Sequence, residues 1–311
     1  VKGASKTMKE LVFATMVSTN AAARDAMLWA RSIRTFGGRF ANSPIWLLIP
    51  EYIERLPTAL RVDLDKIKVR LLAFEASKGE LDFPFAGKTI AAGFAEHLAQ
   101  DRAARLVWMD RDSLVVQEPT PLSLPGSKVF GYRPVDHTLI GSLASQPVDS
   151  FWSLIYNYSG VDPQQVGSMV TSVDEKIIRP YYNAGMLVVR PQRKLLQTWA
   201  TNFRDFYTLP AFTPFYKQDF LYRLFIHQAV LAGTILAQTD DEERHELPHL
   251  VNYPLHMHVA YPTSRRPARL NDALSFRYDT LADNPHWEEI IPIDDPLRIW
   301  LHEQREGLHQ I

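Results

Sequence analysis

No cysteine occurs in the 311-residue chain, which excludes disulfides, thiolate metal sites and cysteine nucleophiles. Charge of either sign is not in excess: 34 basic residues stand against 35 acidic ones, for a net charge of −1. A nucleic-acid binder ordinarily carries a basic excess or stripe, so no nucleic-acid partner is expected. No apolar run approaches the ~18 residues needed to cross a bilayer, so no membrane span is expected in the given chain. The sequence also lacks a Walker-type phosphate loop, a nucleophile elbow, internal repeats and low-complexity segments. Its start, Val1-Lys2-Gly3-Ala4-Ser5-Lys6, has neither an initiating Met nor the apolar core of a signal peptide. The expectation is a cytoplasmic protein, with an upstream anchor or targeting segment left open.

What is present has ordinary globular proportions, 46% hydrophobic and 22% charged, in a chain long enough for one large α/β domain. Residues 11–18 read as a buried strand with a polar exit into Thr19-Asn20. Ala26, Met27, Ala30, Ile33 and Phe36 then share one helical face, which Gly37-Gly38 ends. Strands are expected at 45–50 and 69–74 with a helix-like piece between them, then a loop over 83–88, a helix over 89–100 and a strand from Leu106. Further strands at 129–132 and 182–189 precede helices at 195–207 and 220–232. This alternation of helices with continuous apolar strands predicts an α/β fold with a mainly parallel sheet and helices on both faces. Residues 136–179 are weakly patterned, and their aromatic cluster of Phe151, Trp152, Tyr156 and Tyr158 reads as core in preference to a sugar platform. The end of the chain is rich in Pro, His and charge, and Arg265-Arg266 reads as a solvated turn. The expected organisation is one domain over 1–262, with an irregular C-terminal extension over 263–311 packed on it.

The most informative stretch is Leu106-Val107-Trp108-Met109-Asp110-Arg111-Asp112. In an extended chain residues i and i+2 share a side, so Asp110 and Asp112 are expected to converge while Arg111 points away. Two carboxylates at a strand end make a hard oxygen site for Mg²⁺ or Mn²⁺, especially when a substrate phosphate adds ligands. With 20 aspartates in the chain, a chance Asp-x-Asp is expected, and Asp63-Leu64-Asp65 serves as a control. That second pair precedes a strand and suits a solvated turn or helix cap. Only Asp110 and Asp112 lie where open α/β sheets bind ligands.

In order and spacing the chain resembles the GT-A-fold nucleotide-sugar glycosyltransferases of the glycogenin and bacterial galactosyltransferase type. The matching pieces are Val17-Ser18-Thr19-Asn20, Ser32-Ile33-Arg34-Thr35-Phe36-Gly37-Gly38, Lys88 before a helix, Asp110-Arg111-Asp112, and Tyr182-Asn183-Ala184-Gly185-Met186-Leu187. The resemblance covers about residues 10–190, is looser over 220–262, and is not seen beyond 270. It implies a Mn²⁺- or Mg²⁺-dependent enzyme that moves a sugar from a nucleotide-diphosphate donor to an acceptor, saccharide, protein or small molecule, with retention of configuration. Ser18, Thr19 and Asn20 would then hold the nucleotide, and Asp110 and Asp112 the metal. Lys88 would approach the phosphates or donor sugar, and Asn183 and Gly185 would line the donor-sugar pocket. By the same resemblance Asp110, Asp112, Lys88 and Asn183 form the catalytic group, and Gln228 belongs to the donor-binding side.

Three departures stand out. Arg111 is larger than the usual residue between the aspartates, His227-Gln228 replaces a common Asp-Gln, and the C-terminal His-x-x-Gly-x-x-Lys-Pro-Trp signature is missing. In its place His256-Met257-His258 is expected as a short strand whose two histidines face the metal. Two alternatives compete: a catalytically silent nucleotide or sugar binder, and a sugar-phosphate nucleotidyltransferase. The last needs a glycine-rich loop where Ser18-Thr19-Asn20-Ala21-Ala22-Ala23-Arg24 stands.

Overall fold

The computed structural model describes residues 8–51, 56–278 and 287–309. Val1 to Lys6, read above for targeting signals, lie outside them. The chain runs β1 (Lys9–Met16), α1 (Asn20–Phe36), β2 (Ile45–Pro50), α2 (Thr58–Lys66), β3 (Val69–Phe74), α3 (Lys78–Leu81), α4 (Ala86–Ala99), β4 (Ala103–Met109) and β5 (Ser113–Val115). It continues with β6 (Phe130–Pro134), α5 (Ser150–Ser159), β7 (Met169–Val170), β8 (Ile177–Ile178), β9 (Tyr182–Val189), α6 (Leu195–Phe206), α7 (Thr213–Gln218) and α8 (Phe220–Gln238). The last elements are β10 (Arg244–Glu246), β11 (Tyr253–Pro254), β12 (Ser275–Arg277) and α9 (Leu297–His309).

Seven strands form the central sheet in the order β10-β6-β9-β4-β1-β2-β3. β3, β2, β1 and β4 are parallel, while β9 runs antiparallel to both β4 and β6. The mainly parallel sheet expected from the sequence is therefore present, with β9 as its reversed member. Alternate residues feed two cores, as a sheet covered on both faces requires. Val12, Ala14, Leu106 and Trp108 face the core that includes Ile90, Trp199 and Ile226. Leu11, Phe13, Val107 and Met109 face the opposite core, with Trp29 and Ile33 of α1.

A smaller sheet ties the C-terminal segment to the site-bearing turn. β12 pairs antiparallel with β5 and parallel with β11, and Phe276 and Leu114 share a third core with Tyr253 and Trp300. The Phe151, Trp152 and Tyr156 side chains are buried as expected, but Tyr158 is exposed and leans on Phe206 and Phe212. Asp63 and Asp65 belong to α2, where Asp63 pairs with Lys66 at 2.8 Å, so they form part of a helix and no turn. Arg266 differs from its expected solvated role: its guanidinium donates to the carbonyls of Tyr261 and Val259, closing the chain there. α8 is the one helix among the described residues long and apolar enough by composition to cross a membrane. Its residues Ile226 to Ile235 are buried, packed on α5, α6, α7 and β9.

α4 packs on α6 and on β1 and β4 of the central sheet. Gly93 permits it, because a methyl there would lie 2.7 Å from the Ala200 Cβ. Beside it, the fully buried Glu96 of α4 accepts the Gln197 N–H at 2.8 Å, at the start of α6. Lys194, which precedes α6, makes no side-chain cap of its own, so a neighbouring helix supplies the acceptor. Burial lifts the Glu96 carboxyl from 4.5 to about 8, against the opposing pull of the Gln197, Leu196 and Leu195 donors.

The folded state therefore holds more protons than the unfolded chain between pH 4.5 and about 8, and stability falls as pH rises through that window. Glu96→Gln is expected to flatten this slope, with its largest gain in melting temperature at the alkaline end. Melting curves at matched ionic strength check it, and parallel pH profiles for the two proteins would refute the assignment.

Candidate functional site

The strand order reverses between β1 and β4, and in open α/β sheets ligands settle outside the carboxyl ends of the strands at such a point. A cavity of about 620 Å³ opens there, walled by Thr15 and Met16 of β1, Pro50 of β2, and Trp108, Asp110 and Asp112. A second cavity, about 370 Å³, shares Phe85, Lys88, Asp110 and Asp112 and adds Asn183, Gly185 and Gln228. The aspartate pair and Lys88 thus form the wall common to both.

β4 stops at Met109, and the two aspartates sit in a turn closed by the Ser113 N–H on the Asp110 carbonyl at 3.2 Å. Convergence of Asp110 and Asp112 on both cavities comes from this turn and not from the strand alternation expected. The Asp110 N–H donates to the Gly185 carbonyl at 2.8 Å, which fastens the turn to β9. Gly185 is required by close approach: a methyl there would stand 2.9 Å from Asn183 Oδ1 and 3.0 Å from Asp110 Oδ2. Arg111 does turn away from the pair, to Asp25 of α1 at 3.6 Å, yet both remain on the first cavity's wall.

Lys88 lies in the first turn of α4, where the helix dipole disfavours a cation. Its Nζ donates to Asp110 Oδ2 at 2.6 Å, and it also lies over the Phe85 ring at 5.3 Å. Phe85 itself adopts a left-handed backbone, φ 59°, and its ring is exposed at the junction of the two cavities. A bulky residue in that conformation is strained, and such strain clusters at functional sites.

The remaining expected residues divide. Ser18 and Thr19 line the first cavity, but Asn20 is not on its wall and opens α1 at the surface. The Thr19 hydroxyl accepts the Ala22 N–H at 3.0 Å and so caps α1, which starts earlier than its apolar stripe indicates. Asn183 is buried and accepts the Gly185 N–H at 2.8 Å. Gln228 accepts the Ala184 N–H at 3.1 Å, so its carbonyl braces β9. His227 is buried against Phe85, and burial together with nearby Lys88 drives its pKa well below the usual range, leaving it neutral.

The His256–His258 stretch is not a strand. Leu255–Met257 is a 3-10 turn, so the two imidazoles diverge. His256 faces the second cavity, while His258 Nδ1 meets the Tyr253 hydroxyl at 2.8 Å. Several wall residues were not foreseen: Asp25, Asp136, Leu139 and Arg277 carry no local signal in the sequence, and only the assembled chain brings them to the cavities.

Burial, and then the neighbouring Asp110, raise the Asp112 carboxyl from 3.8 to about 6, with Arg277, Lys88 and Arg111 opposing. A carboxylate pair in that condition is relieved by added positive charge, and its oxygens suit a hard divalent cation. Among the described residues no three His, Cys, Asp or Glu side chains form a metal-binding group. The pair therefore fits a cation as a two-residue seat that needs further oxygen ligands from elsewhere.

The model of the Rhodobacterales glycosyltransferase domain matches residues 13–220. An active-site mutant of LgtC is 13% identical with a TM-score of 0.51, covering 90% of this chain and 93% of that one. The galactosyltransferase LgtC in complex with donor and acceptor sugar analogs is 15% identical over 96% and 94% of the two chains, with a TM-score of 0.48. The glycosyltransferase GlyE of Streptococcus pneumoniae is 13% identical over 95% of this chain and 63% of that one, with a TM-score of 0.47. The likeness at 0.51 shows a shared fold. No curated protein sequence matches the chain.

Thr19 lines the cavity and caps a helix, and the two roles separate experimentally. Thr19→Ala is expected to cost about 1 kcal/mol in chemical denaturation, and Thr19→Ser to restore nearly all of it. Unchanged stability in Thr19→Ala would show that the hydroxyl does not serve as a cap.

Proposed function

The chain belongs to the Rhodobacterales glycosyltransferase domain family, and from that premise we propose that it moves a sugar from a nucleoside-diphosphate donor to an acceptor hydroxyl at the Asp110–Asp112 turn. The observation that carries this reading is the shared wall: Asp110, Asp112 and Lys88 border both cavities, so one set of charges serves two ligands. The larger cavity, at the ends of β1 and β4, suits the nucleotide. Its Ser18, Thr19 and Asp25 side chains offer hydroxyl and carboxylate partners for a ribose and base. The smaller cavity suits the donor sugar and the acceptor, against Asn183, Gly185 and neutral His227.

Asp110 and Asp112 would hold Mn²⁺ or Mg²⁺, the donor diphosphate supplying further oxygen ligands; His256 shares the smaller cavity's wall but forms no three-residue metal group with them among the described residues. When bound, the cation offsets charge on the departing diphosphate. Lys88 supplies a fixed cation at the same place, already oriented by Asp110. The Asp110–Gly185 tie fastens the turn to β9, and the exposed Phe85 and Leu139 add apolar surface to the smaller cavity's wall. Transfer with retention is supported by the state of Asp136. It is the remaining described carboxylate on the smaller cavity's wall, and the Arg277 guanidinium occupies its Oδ2.

Calorimetry and a donor-turnover assay with Mn²⁺ across a panel of nucleotide sugars test the reading. Asp112→Asn is expected to reduce diphosphate affinity at least about tenfold, or ~1.4 kcal/mol, while Asp63→Asn on α2 changes nothing. Equal effects from the two would remove the argument from position. Binding without turnover would mark a silent relative. Lys88→Ala is expected to weaken the diphosphate more than its bare nucleoside, and a uniform loss would assign Lys88 a packing role.

A further inference from the structure

We propose that Arg277 is a further diphosphate-binding residue, a fixed positive charge that the C-terminal segment delivers to the leaving group; this rests on reading the cleft as a nucleoside-diphosphate site. Arg277 ends β12, whose antiparallel register sets it opposite Ser113, directly after the aspartate turn. The Tyr278 N–H on the Asp112 carbonyl at 2.8 Å fastens the two segments at that point. The Arg277 side chain lines the smaller cavity with Lys88, Asp110 and Asp112. It also lies beyond residues 13–220, outside the part of the chain that the family model covers.

The guanidinium is not fully used by the protein. One Nη2–H goes to Asp136 Oδ2, while the Nε–H is buried and has no hydrogen-bond partner among the described residues. Asp136 engages the guanidinium through Nη2, and the side chain, lining the cavity, has further N–H donors at its Nη end for a ligand. The guanidinium fork matches the oxygens of a phosphate.

Charge supplies the need for it. Asp110, Asp112 and Asp136 place three carboxylates on this wall, and Lys88 is engaged with Asp110. A diphosphate entering here meets carboxylate repulsion that a second permanent cation offsets. During transfer the bond between the anomeric carbon and the diphosphate oxygen breaks, and its electron pair remains on the diphosphate. Arg277 then faces more negative charge than in the ground state, so its contribution grows as the bond breaks.

The test uses the full chain with Mn²⁺ and calorimetry of UDP, GDP, ADP and CDP, each paired with its own nucleoside. Two variants are compared: Arg277→Lys, which keeps the charge and loses the fork, and the double change Arg277→Met with Asp136→Leu, which leaves no carboxylate buried alone. Thermal unfolding confirms that each is folded. For the diphosphate bound by the unaltered chain, the double variant is expected to lose about tenfold or more in affinity, with the nucleoside changing by less than about twofold, and Arg277→Lys to fall between. Diphosphate affinity that is unchanged, or that falls by the same factor as the nucleoside's, overturns the role of Arg277. Failure of the unaltered chain to bind any of the four diphosphates overturns the reading of the cleft as well.

Discussion

The ion pair between Lys88 and Asp110, 2.6 Å long, joins the start of α4 to the end of β4. Neither charge is well placed without the other. Lys88 is almost wholly buried at the helix end that repels cations, and Asp110 shares a turn with a second carboxylate. Removing one partner of a fully buried pair costs about 3–5 kcal/mol, and less where, as for Asp110, part of the side chain reaches solvent. Through the Asp110 N–H and the Gly185 carbonyl the same residue is fastened to β9. Helix, parallel strand and reversed strand thus meet at one carboxylate, and the cavities on either side inherit their shape from that meeting.

Around this point charges alternate. Asp25 faces Arg111, Asp110 faces Lys88, and Asp136 faces Arg277. A wall composed this way is nearly neutral in sum yet strongly polar at each position, which suits a ligand bearing both an anion and its counter-cation. A basic groove would take the anion alone. Asp112 is the least compensated member, and burial beside Asp110 pushes its carboxyl up to about 6. It is therefore the position where added positive charge has the most to relieve.

The family match ends at residue 220, yet the wall does not. His256 and Arg277 come from the segment beyond it, and β12 brings them in by pairing with β5 directly after the aspartates. The proposed chemistry therefore combines a shared core, built from β1 to β9, with a local contribution from the chain's last third. That last part shapes the smaller cavity while contributing only the edge strand β10 to the central sheet.

Much of the fold was legible in the sequence because its strands are continuous apolar runs covered on both faces. β2, β3 and β9 occupy the residues expected, and the alternation with helices predicted the parallel sheet. The aspartate pair and Lys88 were legible for a related reason: polar residues at the end of a buried strand or the start of a buried helix stand against their local background. The sequence by itself did not determine the turn that turns both aspartates inward, the 3-10 geometry that parts His256 from His258, or the use of Thr19 as a cap. Those depend on a few backbone hydrogen bonds with no periodic pattern behind them. Least legible were Asp25, Asp136 and Arg277, whose chemistry comes only from what they face. Arg277 and Asp136 are separated by 141 residues and meet because β12 adds to β5. Local sequence sets burial and periodicity along the chain, but the pairing of distant charges is decided when the sheets close, since only then is each charge withdrawn from water and given its partner.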